Sequence, residues 1–204
     1  MAKIRLTKNE LKKQKDDLKR FTRYLPTLEL KKKQLLQEIH RIQREIAESD
    51  AEYRRVEEEV RRWADVFAEG VDLKAFIRVG ALKTGQDNIA GIDIPVFEDL
   101  LFEDIEVDYF HTPVWVDRGV AVCKEQIRRN VEMEISQRQE RILRDELRTT
   151  IQRIKLFEEV KIPEAKENIR GIQIFMGDQQ TAEVVRGKIA KAKILRKKLA
   201  GRPA

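Results

Sequence analysis

The stretch IRLTKNELKKQKDDLKRFTRYLPTLELKKKQLLQEIHRIQREIAESDAEYRRVEEEVRRWADVF runs from Ile4 to Phe67, and its apolar residues repeat every seven positions. Position a falls at Ile4, Leu11, Leu18, Leu25, Lys32, Ile39, Ile46, Tyr53, Val60 and Phe67, where nine of ten residues are apolar. Position d falls at Thr7, Gln14, Phe21, Leu28, Leu35, Ile42, Ser49, Val56 and Trp63, where six of nine are apolar. Such regularity predicts one long helix whose apolar stripe must be covered by a second helix. A 3.5-residue repeat lags the 3.6 of a straight helix, so the seam should wind left-handedly. Pro26 removes a backbone hydrogen bond without shifting the heptad phase, which predicts a bend and not an end. The end is expected between Phe67 and Gly70, where a glycine follows the last periodic residue.

The covering helix lies at the other end of the chain. From Arg118 to about Leu199 apolar residues recur at Ile127, Val131, Ile135, Ile142, Leu147, Ile151 and Ile154, then at Ile162, Ala165, Ile169, Ile172 and Met176. A further set, Ala182, Val185, Ile189, Ala192 and Leu199, restarts out of step near Gly177-Asp178, which predicts irregular pairing there. Ile162-Pro163-Glu164 marks a second kink or break. Between the helices, residues 71–115 change character. Short apolar clusters at Phe76–Val79 and Ile92–Val96 flank the polar, glycine-containing run Lys83–Asn88, which reads as strands divided by a turn. Phe97–Phe110 alternates acidic and apolar residues and is ambiguous. Phe102, Tyr109, Phe110 and Trp115 pack on the hairpin's own face or form a docking surface.

The fold class is therefore mostly α: a long antiparallel two-helix left-handed coiled coil with a small β-hairpin-containing head inserted between the helices. The segments are residues 1–69, 70–117 and 118–204, the first and third forming one rod. Counting from the ends of the head, residue n should lie beside roughly residue 186 − n, placing Leu28 near Glu158. At about 1.5 Å per residue the second helix outruns the first, leaving about 15 to 20 residues at the carboxyl end without a partner.

Composition supports a rod over a ball. Charged residues make up 38% of the 204, against roughly 25% in ordinary globular chains. The net charge of +6 is unevenly spread: residues 1–44 and 181–204 are strongly basic and residues 65–118 acidic, so the folded hairpin carries a charge dipole. No long apolar run and no apolar leader occur, so the chain is expected to stay in the cytosol and not to insert into a membrane. Cys123 is the single cysteine; it excludes an internal disulfide and reads as a small buried or half-buried residue. His111, beside Thr112-Pro113 and far from another histidine or cysteine pair, reads as a loop residue. Phosphate-loop, dinucleotide and H-E-x-x-H motifs are absent, so neither a catalytic residue nor a cofactor or metal is expected. Glu57-Glu58-Glu59 reads as a solvated helix face. Lys12-Lys13 and Lys31-Lys32-Lys33 lack the interleaved aromatics of a nucleic-acid surface. Contact with another protein is the favoured use of such charges.

Three stretches add a resemblance. Ile4-Arg-Leu-Thr-Lys-Asn-Glu-Leu-Lys-Lys-Gln-Lys, continuing through Tyr24-Leu-Pro-Thr-Leu-Glu-Leu-Lys-Lys-Lys, resembles the amino end of the D subunit of V-type rotary ATPases; Asn88-Ile-Ala-Gly-Ile-Asp-Ile-Pro-Val is similar to that family's hairpin tip; Val160-Lys-Ile-Pro-Glu-Ala-Lys-Glu-Asn-Ile-Arg with Gly177-Asp-Gln-Gln-Thr-Ala-Glu-Val-Val-Arg-Gly-Lys resembles its carboxyl helix in the bacterial branch. The resemblance implies a central-stalk protein without catalytic residues, peripheral to the membrane. It would turn inside the hexamer of catalytic and regulatory subunits, bind the small F subunit and a subunit linking it to the membrane ring, and couple ATP synthesis or hydrolysis to proton or sodium transport. Within that frame Arg186, Lys188, Lys191, Lys193, Arg196, Lys197 and Lys198 are the expected contacts, acting collectively inside the ring. The rival reading is a non-enzymatic coiled-coil adaptor or tether that binds nucleic acid or filaments through its basic ends.

Overall fold

The structure, a computed structural model, describes residues 4–62, 71, 73–103, 105 and 112–200, the side chains of 197–200 excepted. Helix α1 spans Lys8–Arg62, strands β1 and β2 span Val79–Ile89 and Ile92–Phe102, and helix α2 spans Val116–Lys155. A π turn, Leu156–Lys161, leads into helix α3, Ile162–Ala200. Long helices with a small antiparallel hairpin between them are the expected fold class. The expected end of the first helix near Phe67, together with Trp63, Tyr109, Phe110 and His111, lies outside the described residues.

By its contacts the chain forms two compact units, Met1–Glu29 with Ile151–Ala204, and Leu30–Thr150. In the first unit, α1 begins at Lys8, four residues later than the heptad suggests. Thr7 caps it: Thr7 Oγ1 accepts the Glu10 backbone N–H at 3.3 Å, a three-residue spacing that satisfies a donor the helix cannot. The helix runs through Pro26 unbroken. Leu11, Gln14, Leu18, Phe21, Leu25 and Leu28 are all half-buried, as their a and d positions require. They face Ile154, Ala165 and Ile172, which are buried. The Phe21 and Phe157 rings stand 5.2 Å apart, and Asn168 Nδ2 donates to Gln14 Oε1 at 3.4 Å. The seam ends at Met176: residues 177–196 are exposed throughout. The apolar set Ala182, Val185, Ile189 and Ala192 thus forms no irregular continuation of the seam.

The second unit holds the core: Leu35, Ile39, Ile42, Ile94 and Leu143, with Ile46, Ile89, Ile92 and Leu147 packed against it. Leu35, Ile42 and Leu143 are fully buried, each contributing about 1.5–3 kcal/mol. The antiparallel contacts run ahead of the register counted from the head. Gln43 Nε2 donates to Glu140 Oε1 at 2.6 Å, and Lys31 Nζ meets Glu146 Oε1 at 2.8 Å, where the count implies the neighbourhood of residue 155. Counting from the ends of the head ignores the side-chain fit that sets the pairing.

The hairpin packs on this helix pair through β2. Ile94 and Leu100 are buried, while β1 is exposed along most of its length. Lys83–Asn88, expected as the turn, belongs to β1, and the chain reverses at Ala90-Gly91, inside the stretch that the family resemblance marks as the tip. Both residues have positive φ, 53° and 80°, the geometry of a two-residue turn whose twist matches the strands. Asn88 fixes it by accepting the Gly91 N–H at 3.0 Å and donating to Asp93 Oδ1 at 2.6 Å. Alanine is the wrong residue at Ala90, since its Cβ crowds the backbone at positive φ. Ala90→Asn is expected to stabilise the chain by about 1 kcal/mol, raising the melting midpoint by roughly 2–4 °C in a circular-dichroism melt.

Candidate functional site

Two surfaces are candidates for function, one in each unit. The first is the exposed end of α3. Its basic side chains Arg186, Lys188, Lys191, Lys193 and Arg196 are all exposed, and among the described residues none of them forms an ion pair. Lys197 and Lys198 follow on the same helix, with side chains outside the described set. At about 100° per residue, Arg186 and Lys193 share one side, Lys188 and Lys191 lie across the helix, and Arg196 lies on a third side. Apolar residues are dispersed in the same way. Val184, Val185, Ile189, Ile194 and Leu195 are each about half exposed and occupy several directions. The structure therefore does not gather the five described basic residues on one face. It presents them, mixed with apolar stems, on several sides of the helix, which suits an enclosing surface better than a groove.

The second surface lies at the base of the hairpin, and sequence reading missed most of it. Arg128 on α2 donates from Nη2 to the Leu100 carbonyl at 3.2 Å and stands 3.4 Å from Asp99 Oδ1. Lys124 Nζ lies 5.6 Å from the centre of the Phe102 ring, and Gln139 Nε2 donates to the Pro95 carbonyl at 2.6 Å. These polar α2 side chains fix the hairpin to the helix. Nothing in the sequence distinguishes them from solvated helix residues, because their partners lie far away along the chain. Phe102 and Trp115 are half-buried, the Trp115 ring passing close to Gly119, where a Cβ would meet it at 3.4 Å.

Beside this base is a cavity of about 450 Å3 lined chiefly by apolar residues, among them Tyr53, Val56, Leu73, Ile77, Cys123 and Ile127. Burial pushes the Cys123 thiol above its usual pKa, so the reactive thiolate is scarce at neutral pH. Alkylation by iodoacetamide at pH 7.5 should run slower in the folded chain than in urea. The folded state holds this proton more tightly than the unfolded state. Its stabilising effect is thus present at neutral pH and fades as pH rises above the ordinary thiol value. Among the described residues no three His, Cys, Asp or Glu side chains converge as a metal site. No described helix is long and apolar enough to cross a membrane.

Comparison with known proteins decides the family. The model of the family described as the D subunit of ATP synthase matches residues 10–192. The chain belongs to that family. Among its relatives, the V-type ATP synthase D subunit of Borreliella burgdorferi is 47% identical, over 97% of this chain and 98% of that protein. The protein of the same name from Chlamydia caviae is 33% identical, over 97% of this chain and 96% of that protein. As a member of the D-subunit family, the chain carries the match across both units, from inside α1 to within the exposed part of α3.

Proposed function

We propose that this chain is the central-stalk component of a V-type ATPase or ATP synthase, a non-catalytic shaft that passes rotation between ATP chemistry and ion transport across the membrane. Membership of the D-subunit family supports this reading, and the observation that carries it further is the exposed end of α3. A helix that is basic and apolar on every side can be gripped from all directions without favouring one angle. That is what a shaft turning within a ring of subunits requires. Diffuse Lys and Arg contacts, with their stems lying on apolar walls, provide that grip. In this reading the segments 1–69 and 118–204 form the shaft and 70–117 the head. The hexamer of catalytic and regulatory subunits encloses the basic end, and the small F subunit and the subunit leading to the membrane ring bind elsewhere on the chain. The ion moved is a proton or sodium.

The test is reconstitution. Mixed with the catalytic hexamer at low and moderate salt, the chain should co-migrate with it, add no ATPase activity alone, and rotate when ATP is supplied to the surface-tethered assembly. Co-migration with nucleic acid, and none with the hexamer, would establish the adaptor reading instead.

A further inference from the structure

The cavity beside the hairpin base is the feature that the shaft reading leaves unused. Four elements of the second unit wall it: Val56 and Val60 of α1, Leu73 of the 3-10 turn Leu73–Phe76, Val79 of β1, and Val122 with Gln126 of α2. At about 450 Å3 it falls within the size range of small-molecule sites, roughly 300–1,000 Å3. It is about three times the volume of an apolar void that admits benzene.

One polar atom interrupts the apolar wall. Gln126 Oε1 is buried and accepts no hydrogen bond among the described residues. Such acceptors are uncommon, because the hydration lost on burial has not been replaced. A lone water there would find few of the two to four partners that hold a buried water. Cys123, three residues before Gln126 on the same helix, also lines the cavity, and burial keeps its thiol neutral at ordinary pH. The charged side chains that border the cavity, Glu57 and Lys74, are exposed, so among the described residues no buried charge awaits an ionic guest. The wall therefore favours a neutral, apolar body, and Gln126 asks for one donor. A rigid aromatic ring brings the most apolar area with the least rotational freedom to lose.

We propose that this cavity is a binding site for a small neutral aromatic molecule that packs on Val56, Val60, Leu73 and Val122 and donates one N–H or O–H hydrogen bond to Gln126 Oε1. The bound molecule touches α1, the 3-10 turn, β1 and α2 at once and so tightens the base of the hairpin. The site stands on the geometry of the second unit and is independent of the shaft reading.

Indole carries such a donor, and benzothiophene is its near-isostere without one. With the full-length chain, saturating indole should slow alkylation of Cys123 by iodoacetamide at least about threefold and raise the melting midpoint by about 2 °C or more. Gln126→Leu removes the acceptor and keeps the bulk, and there the ratio of the benzothiophene Kd to the indole Kd should fall at least about threefold from its wild-type value. Gln126→Met serves the same comparison if the first variant does not fold. Unprotected Cys123 and an unmoved midpoint at millimolar indole would overturn the site. A ratio that ignores the loss of the acceptor would overturn the recognition by Gln126 on which the proposal depends. Trp63, the next d position of the α1 repeat after Val56, lies outside the described residues. Protection by indole that appears only in Trp63→Ala would show that a side chain of the chain itself takes the place of the guest, and the proposal would fall.

Discussion

Truncation after Thr181 is expected to weaken assembly with the catalytic hexamer by at least about a hundredfold while leaving the remaining chain folded. The residues removed contain Arg186, Lys188, Lys191, Lys193, Arg196, Lys197 and Lys198, along with five exposed apolar side chains that bury nothing in the isolated molecule. Contacts of a few tenths of a kcal/mol from each basic group, with partial burial of the apolar ones, sum to several kcal/mol, and about 1.4 kcal/mol is a factor of ten. Stability should be nearly untouched, because the seam ends at Met176. Replacing any one of the basic residues with alanine should change affinity less than about threefold, and raising the salt should weaken the intact chain more than the truncated one. Sedimentation of the mixture measures the first effect and a circular-dichroism melt the second. If the truncated chain assembles and couples hydrolysis to ion movement as the full chain does, the exposed helix is a passive tail.

The largest loss of stability should come from Leu143→Ala. Leu143 is fully buried beside Leu35, Ile39, Ile42 and Ile94, where α1, α2 and the hairpin meet, so a cavity there is walled on three sides and collapses poorly. Such substitutions cost about 2–5 kcal/mol, which for a chain of this size lowers the melting midpoint by roughly 5–15 °C. Leu156→Ala, at an exposed position on the π turn, should cost less than about 1 kcal/mol and serves as the control. Equal midpoints for the two variants would mean that the three-element core does not carry the stability of its unit.

Seam residues were legible because a period leaves a trace in sequence. Every a and d position from Leu11 to Val60 is buried or half-buried, including the polar Gln14, Lys32 and Ser49. The heptad thus located α1's contact face correctly even where the residue type argued against it. The exposed end of α3 was readable in the same way, from the mismatch in length between two helices. The motifs of the D-subunit family, read at three places along the chain, were confirmed by a match over residues 10–192.

What the sequence could not decide were the contacts between distant elements. Leu143 lies beside the periodic Ile142, yet it is Leu143 that joins Leu35, Ile39 and Ile42 of α1 and Ile94 of the hairpin in the buried core. Lys83–Asn88 looked like a turn by composition, but its residues pair along β2, and reversal falls at Ala90-Gly91 because Asn88 can hold the tight turn closed. Arg128 and Gln139 carried no signal, since a solvated helix residue and one that grips a strand tens of residues away read alike. The π turn was half visible: Pro163 announced a break, while the pairing of the Ile162 N–H with the Phe157 carbonyl five residues back appears only in the structure. Periodicity within one helix is local and survives in the order of residues. Which side chain meets which across the fold depends on a complementarity of shape that neither segment encodes alone.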